Sequence, residues 1–184
     1  MKREFVIGVT GASGAIYARR LLEVLCEKAD VHLVISDVAR EIAAYEGVDL
    51  DGFRANYHEI DFIGAPVASG SHRFDGIVII PCSAKTLAAV AHGYADNLIT
   101  RTADVCLKEG RTCILVTRET PLSRVHLKNM LAASEAGATI LPACPGFYNK
   151  PQTIDDLVDM VVARILDHLK VEHSITKRWS GYNA

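Results

Sequence analysis

The sequence lacks a long hydrophobic run and a marked excess of charge of either sign. Its 184 residues carry 20 Lys and Arg against 22 Asp and Glu, a net charge of -2, so there is no sequence-wide positive field to attract nucleic acid. The N-terminal apolar run is short and is interrupted by Gly8 and Gly11, which predicts neither a signal peptide nor a membrane span. We therefore expect no nucleic-acid partner and no membrane insertion.

Paired metal-binding and disulfide motifs are also missing. The five cysteines are odd in number and form no CxxC pair, and the seven histidines form no HxxxH or HExxH pair. Most of the cysteines lie in apolar runs, which is typical of buried free thiols in a reducing compartment. The sequence thus predicts a cytoplasmic protein without a protein-built metal site.

Short apolar runs alternate with amphipathic stretches along the whole chain. Strands are predicted at residues 5–9, 31–35, 76–80, 113–116 and 139–141, and helices at 15–25, 38–45, 83–91, 98–108, 125–133 and onward from an N-cap at Thr153. Continuous apolar strands separated by helices predict a parallel sheet covered on both faces. We expect one α/β domain over residues 1–184, a Rossmann-like doubly wound parallel sheet, with a C-terminal tail from about residue 171. Residues 46–73 show the least regular pattern, and a long irregular segment is usually functional or mobile.

The first chemical motif is the glycine turn GVTGASG at residues 8–14, between the first strand and the first helix. Glycines let the backbone approach an anion, and the helix N-terminus offers free N–H groups. Its spacing is not that of a dinucleotide fingerprint, and the second strand ends at Ser36 rather than at an acidic residue, which favours a phosphate or mononucleotide. The alternative is a tight turn that serves only the fold.

A second turn, PCSAKT at residues 81–86, places small hydroxylated residues at the end of another strand. Two such turns at one sheet edge predict a crevice at a topological switch point. Ordinary N-capping by Ser83 explains the same pattern equally well.

Several charged or aromatic residues stand within apolar segments. Arg101 and Lys108 are seven residues apart and share a helix face, Arg118 and Glu119 follow a strand, and Tyr148 and Arg164 lie further on. Each alone reads as a solvated surface group, and Glu46 reads as an exposed carboxylate. Together, the cations form a set suited to a phosphate leaving group.

These motifs together resemble those of the UbiX/Pad-type flavin prenyltransferases, once labelled aromatic-acid decarboxylases. The resemblance is carried by GVTGASGAIYARRLL, the PCS…TL block, RETPLS, PGFYNKPQ and the closing KRW, which occur in order over well over half of the chain. It implies the flavoprotein or cysteine-decarboxylase-like fold and FMN bound at the carboxyl edge of the sheet. By position, the implied FMN contacts are Gly11, Ala12, Ser13, Ser36, Ser83, Ala84, Lys85, Thr86 and Arg118.

The resemblance also implies a second substrate, dimethylallyl phosphate, and roles for particular residues. Its phosphate is expected near Lys108, Arg101, Arg118, Tyr148 and Arg164, with Ser69, Gly70 and Ser71 nearby. Glu46 and Glu119 match the family's catalytic acids, and Lys108 is expected to belong to the catalytic set as well. Trp179, also in that set, matches an aromatic side chain near the prenyl group. Such a face stabilises a cationic allyl group by roughly 1–2 kcal/mol.

The implied reaction joins a dimethylallyl group to N5 and C6 of reduced FMN. Glu119 is expected to protonate the departing phosphate and Glu46 to accept a proton during ring closure. No metal is expected, because the aspartate-rich motifs of diphosphate prenyltransferases are missing. The family further implies a homododecamer with sites between subunits, a UbiD-type decarboxylase that receives the prenylated FMN, and a link to ubiquinone biosynthesis.

Three other functions remain open from the residues. A cysteine decarboxylase of the same superfamily requires a catalytic His after an early strand and a PxMNxxMW-like block, and the sequence has neither. Direct decarboxylation of aromatic acids fits the basic residues but has no evident means of stabilising a carbanion. A flavin carrier without catalysis is opposed only by the two glutamates and the cations.

Overall fold

A computed structural model describes residues 2–181; residue 1 and residues 182–184 lie outside the described residues. Six parallel strands form one sheet: β1 Glu4–Val9, β2 Asp30–Ile35, β3 Asn56–His58, β4 Gly76–Cys82, β5 Thr112–Thr117 and β6 Thr139–Ile140. The helices are α1 Ala15–Lys28, α2 Asp37–Tyr45, α3 Ala84–Ala91, α4 Leu98–Lys108, α5 Arg124–Glu135 and α6 Ile154–His168. A short 3-10 helix covers Pro66–Ala68. The predicted α/β fold with a doubly wound parallel sheet is confirmed.

The strand order is β3-β2-β1-β4-β5-β6, so the direction of winding reverses between β1 and β4. The carboxyl ends of these two strands therefore diverge into connections on opposite faces, and open α/β sheets bind ligands at such a point. The two turn motifs of the sequence, residues 8–14 and 81–86, both lie there.

Each face of the sheet carries its own apolar layer. One layer packs α1 and α6 against the sheet through residues such as Leu21, Leu25 and Val162. The other packs α4 against it through Ile99 and Val105. Burial on both faces explains why β1, β4 and β5 read as continuous apolar runs rather than alternating ones.

The sheet differs from the prediction at β4 and β3. Pro81 does not end its strand, because β4 continues through it to Cys82 at an irregularity in the pairing with β5. Strand β3 lies inside the segment predicted to be irregular; its three residues pair with β2 and are too few to show a pattern in the sequence. Among residues 2–181, no helix is both long enough and apolar enough to cross a membrane.

Candidate functional site

The glycine turn between β1 and α1 is shaped for close approach of a ligand to the backbone. A Cβ atom on Gly11 would lie 2.8 Å from Cγ1 of Val38, so only glycine fits there without displacing the Val38 side chain. Gly14, the N-cap of α1, has φ 109°, a left-handed conformation that favours glycine. The turn thereby exposes backbone N–H groups at the start of α1, where an anion is stabilised.

The side chain of Glu46 lies against this turn. Its carboxylate accepts hydrogen bonds from the backbone N–H of Gly14, at 2.9 and 3.2 Å, and of Ala15, at 2.9 Å. Burial by itself raises the pKa of Glu46, but these bonds, the Ser13 hydroxyl and the Arg118 charge outweigh it and lower that pKa. Glu46 is therefore an ionised group at neutral pH, not the free surface carboxylate that the sequence alone suggested.

The second turn is joined to the first through Thr10. The Thr10 backbone N–H and hydroxyl both donate to the carbonyl of Pro81, at 3.2 and 2.9 Å. The backbone N–H of Ser83 in turn donates to the Thr10 hydroxyl at 2.9 Å. Sequence reasoning missed this buried residue, although its position between the two glycines of the turn was visible. The two loops are thus held as one rigid edge.

Ser36 and Ser83 both cap helices, which the sequence had suggested for Ser83 but not for Ser36. The Ser36 hydroxyl accepts a hydrogen bond from the N–H of Ala39 at 3.2 Å, and the Ser83 hydroxyl accepts one from the N–H of Thr86, also at 3.2 Å. Capping and ligand binding are compatible. The two caps fix the N-termini of α2 and α3 at the same sheet edge as the N-terminus of α1. Three helix N-termini gathered at one edge favour a ligand with a phosphate group.

The remaining positions of the second turn differ in exposure. Thr86 is buried, Ala84 is half-buried and Lys85 is exposed. The hydroxyl of Ser83 donates to that of Thr86 at 3.0 Å. In the first turn, Ala12 is buried and Ser13 is exposed. The turns therefore present both hydroxyl and backbone groups to a ligand.

The end of β5 adds the charged residues of the site. Nε of Arg118 donates to the carbonyl oxygen of Ser13 at 3.2 Å, which places its cation beside the glycine turn. Glu119 is exposed, and its carboxylate accepts a local hydrogen bond from the N–H of Thr120 at 3.1 Å. The hydroxyl oxygen of the neighbouring Thr117 is buried and has no hydrogen-bond partner among the described residues. Such a group at a sheet edge is well placed to meet a polar ligand atom.

A second group of predicted residues lies at the other edge of the sheet. Lys108 ends α4 and forms an ion pair with Glu109 at 2.5 Å, and a Cβ on Gly70 would lie 2.7 Å from Nζ of Lys108. Ser69 and Ser71, whose hydroxyl groups are 2.9 Å apart, flank that glycine. These residues precede β4 and β5 in the chain, so they lie at the amino edge.

Arg101 belongs to the same group. Its Nε donates to the carbonyl of Ala68 at 3.1 Å, and the guanidinium pairs with Asp104 at 2.7 Å. Arg101 and Lys108 therefore both face the 68–70 segment, as their spacing predicted. Within one chain, this group lies at the amino edge of the sheet, whereas Arg118 and Glu46 lie at the carboxyl edge.

A third group is formed by the tail and the loop after β6. The rings of Tyr148 and Trp179 pack edge to face with centroids 5.5 Å apart, and the Asn149 side chain donates to Thr176 and Lys177, at 3.2 and 3.1 Å. Arg164 lies on α6, exposed, and pairs with Asp167 at 2.9 Å. The tail beyond residue 171 is thus held against the loop of Tyr148.

Comparison with known proteins supports a flavin site. The family model described as Flavoprotein matches residues 1–166. A flavin prenyltransferase UbiX from Methanocaldococcus jannaschii is 46% identical over 181 residues, which cover 96% of this chain and 98% of that protein.

Solved structures agree over the full length. The crystal structure of AnUbiX in complex with FMN and dimethylallyl pyrophosphate has a TM-score of 0.95 and 44% identity, and the match covers 100% of both chains. A dodecameric FMN-dependent UbiX-like decarboxylase from Escherichia coli has a TM-score of 0.91 and 44% identity, over 97% of this chain and 100% of that one.

Proposed function

The chain belongs to the UbiX flavin prenyltransferases within the flavoprotein family, and we infer that it is a transferase that joins a dimethylallyl group to N5 and C6 of reduced FMN. The observation that carries this function is the switch-point edge, where three helix N-termini lie near the Glu46 carboxylate and the positive charge of Arg118. An edge of this kind binds a flavin phosphate and holds charged groups beside the flavin. FMN supplies the nucleophilic atoms of the reaction, and the protein supplies binding and proton transfer.

We propose that the two turns hold FMN. The exposed hydroxyl of Ser13, the capping hydroxyls of Ser36 and Ser83, and the N-terminal end of α3 are suited to its phosphate and polar atoms. Thr10 holds the two turns at a fixed separation, so little ordering is required when FMN binds.

We propose that a second copy of the chain completes the donor site. Lys108 and Arg101 stabilise a phosphate leaving group only when they stand beside the flavin, and within one chain they lie at the opposite sheet edge. A homo-oligomer, dodecameric as in the Escherichia coli relative, brings the amino edge of one copy to the carboxyl edge of another. Tyr148, Arg164 and Trp179, with Ser69, Gly70 and Ser71, are proposed to line the same junction.

The two glutamates are proposed to divide the proton transfers. Glu46 is ionised, because its pKa is lowered by the hydrogen bonds that it accepts, and an ionised carboxylate accepts protons rather than donates them. Glu119 is exposed beside Arg118 at the end of β5, where its carboxylate accepts a hydrogen bond from the N–H of Thr120, and it is proposed to protonate the departing phosphate. This division assigns ring closure to Glu46 and donor cleavage to Glu119.

We propose dimethylallyl phosphate as the donor and a UbiD-type decarboxylase as the recipient of the product. The test follows release of inorganic phosphate from dimethylallyl phosphate, and separately of pyrophosphate from dimethylallyl pyrophosphate, in anaerobic mixtures with reduced FMN. Phosphate release in a one-to-one ratio to consumed flavin supports the proposal. Release of CO₂ from an aromatic acid by the same preparation, with the flavin unchanged, would favour the decarboxylase function instead.

A further inference from the structure

Four side chains from separate segments meet at the amino edge of the sheet, away from the glycine turn. Nε2 of His32 in β2 lies 2.9 Å from Oε1 of Glu4 in β1, and Nε2 of His72 lies 2.6 Å from the same oxygen. Nδ1 of His32 faces Nε2 of His58 in β3 at 2.7 Å, and their two rings stack with centroids 5.0 Å apart. No local sequence motif predicts this cluster, because its members are 14 or more residues apart in the chain.

We propose that Glu4, His32 and His72 bind a divalent transition-metal ion, with Zn²⁺ the ion that the ligand chemistry favours. Two imidazole nitrogens and one carboxylate oxygen form a common three-ligand set for zinc, with water in the fourth position. The three ligand atoms all lie within 4.8 Å of one another. Ligands of a tetrahedral ion at about 2.0–2.2 Å lie roughly 3.3 Å apart, so the 2.9 Å contact of His32 and the 2.6 Å contact of His72 with Glu4 need to widen by about 0.4 and 0.7 Å.

His58 supports this assignment as a positioning residue. A histidine that binds metal through one ring nitrogen usually donates the other N–H to a neighbouring acceptor. Nε2 of His58 is in position to accept from Nδ1 of His32. Metal binding would displace the protons on the two Nε2 atoms that now bridge to Glu4, and would place the His32 proton on Nδ1, toward His58.

The surroundings hold the ligands in place and leave an entry path. The His32 side chain is only 11% exposed, whereas that of His72 is 34% exposed. Arg111 donates to the carbonyls of His72 and Gly70, at 2.9 and 2.6 Å, which anchors the loop that carries His72. Because His72 is the outermost ligand, an ion can enter from solvent on its side.

Position and chemistry give the ion a structural role. Glu4 begins β1 and Val9 ends it, so the cluster lies roughly 17 Å along the strand from the glycine turn. An ion at the cluster would tie β1 and β2 to the 69–75 loop, and it would not touch flavin held at the other end of β1. The ion would therefore take no direct part in the proposed transfer, although the loop that it anchors also carries Ser69, Gly70 and Ser71 of the proposed donor site.

The experiment titrates tag-free, FMN-loaded protein with Zn²⁺ by calorimetry, and with Co²⁺ by visible absorption. We expect one Zn²⁺ per chain, and Co²⁺ bands without the charge-transfer absorption that a cysteine thiolate would add. His72→Gln should lower the affinity at least tenfold, and His58→Phe, which keeps a ring in the stack, should lower it by about 10–100-fold. His168→Gln removes an exposed histidine of α6 and serves as the matched control.

Thermal unfolding provides a second readout. Zn²⁺ should raise the melting temperature of the wild type and of His168→Gln, but not that of His72→Gln. FMN binding by each variant shows that it has folded. The proposal would be overturned if His72→Gln bound Zn²⁺ as tightly as the wild type does, or if titration of the wild type with Zn²⁺ gave no more heat than titration of buffer without protein. The cluster would then be a hydrogen-bonded network of histidines without a metal.

Discussion

The carboxylate of Glu46 caps the N-terminus of α1 from another helix, accepting hydrogen bonds from the backbone N–H of Gly14 at 2.9 and 3.2 Å across 32 residues of chain. Gly14 itself provides no side-chain cap, so the glutamate does what an N-cap residue does elsewhere. The same contact holds an ionised carboxylate beside the proposed flavin site. One residue thereby serves both the stability of α1 and the proposed chemistry.

Glu46→Gln should destabilise the protein at neutral pH by about 1–2 kcal/mol, because an amide replaces a charged acceptor of backbone N–H groups. The folded-state pKa of Glu46 is lowered, so its contribution is complete above the unfolded pKa of about 4.3 and is lost as pH falls through the folded value. Urea unfolding at fixed protein concentration should therefore show a difference at pH 7 that shrinks toward about pH 3. Glu41→Gln, at an exposed position of α2, the helix that Glu46 follows, should show no such difference.

Ser13→Ala should weaken FMN binding by roughly fivefold to tenfold, because the hydroxyl is worth about 1 kcal/mol to a charged ligand and also donates to Glu46. Quenching of flavin fluorescence measures the dissociation constant. Ser134→Ala, at an exposed position of α5, is the control. If Ser13→Ala bound FMN as the wild type does, the glycine turn would not be the phosphate site.

Glu119→Gln should bind FMN normally but lose turnover by about 10²–10⁴-fold, the usual contribution of a general acid. Single-turnover phosphate release measures the loss, and flavin fluorescence measures binding. Glu135→Gln removes an exposed carboxylate from α5 and should change neither. Wild-type turnover by Glu119→Gln would show that another group protonates the donor.

Mixed oligomers of Lys108→Ala and Glu119→Gln should recover part of the activity that each variant lacks alone. The two residues lie at opposite edges of the sheet in one chain, so a site between copies is intact wherever a normal Lys108 meets a normal Glu119. The variants are unfolded together, refolded as a mixture and assayed. Activity no higher than that of the separate variants would contradict a shared site.

Much of the fold was predictable because the strands are buried on both faces. Strands β1, β2, β4 and β5 were each predicted within two residues at either end, since continuous apolar runs bounded by turn residues leave few other structures. The N-cap at Thr153 was also predicted, and its side chain accepts from the N–H of Asp156. Strand β3 was missed because three residues, two of them exposed, form no pattern.

The candidate site was predictable only where its residues are close in sequence. The turns at 8–14 and 81–86 have local signals, but the contact of Glu46 with Gly14 depends on how α2 packs beside α1. Likewise, the separation of Lys108 from Arg118 follows from the direction of α4, which no motif encodes. The histidine cluster shows the same limit, because a search for paired motifs does not detect ligands drawn from four segments.

The most direct test of the transferase function is the mass of the flavin after reaction. The protein is incubated anaerobically with reduced FMN and dimethylallyl phosphate, and the released flavin is analysed by mass spectrometry. The account predicts a flavin heavier by one five-carbon prenyl unit in the presence of the donor and an unchanged flavin in its absence. An unchanged flavin from folded, FMN-loaded protein supplied with the phosphate, and then with the pyrophosphate, would contradict it.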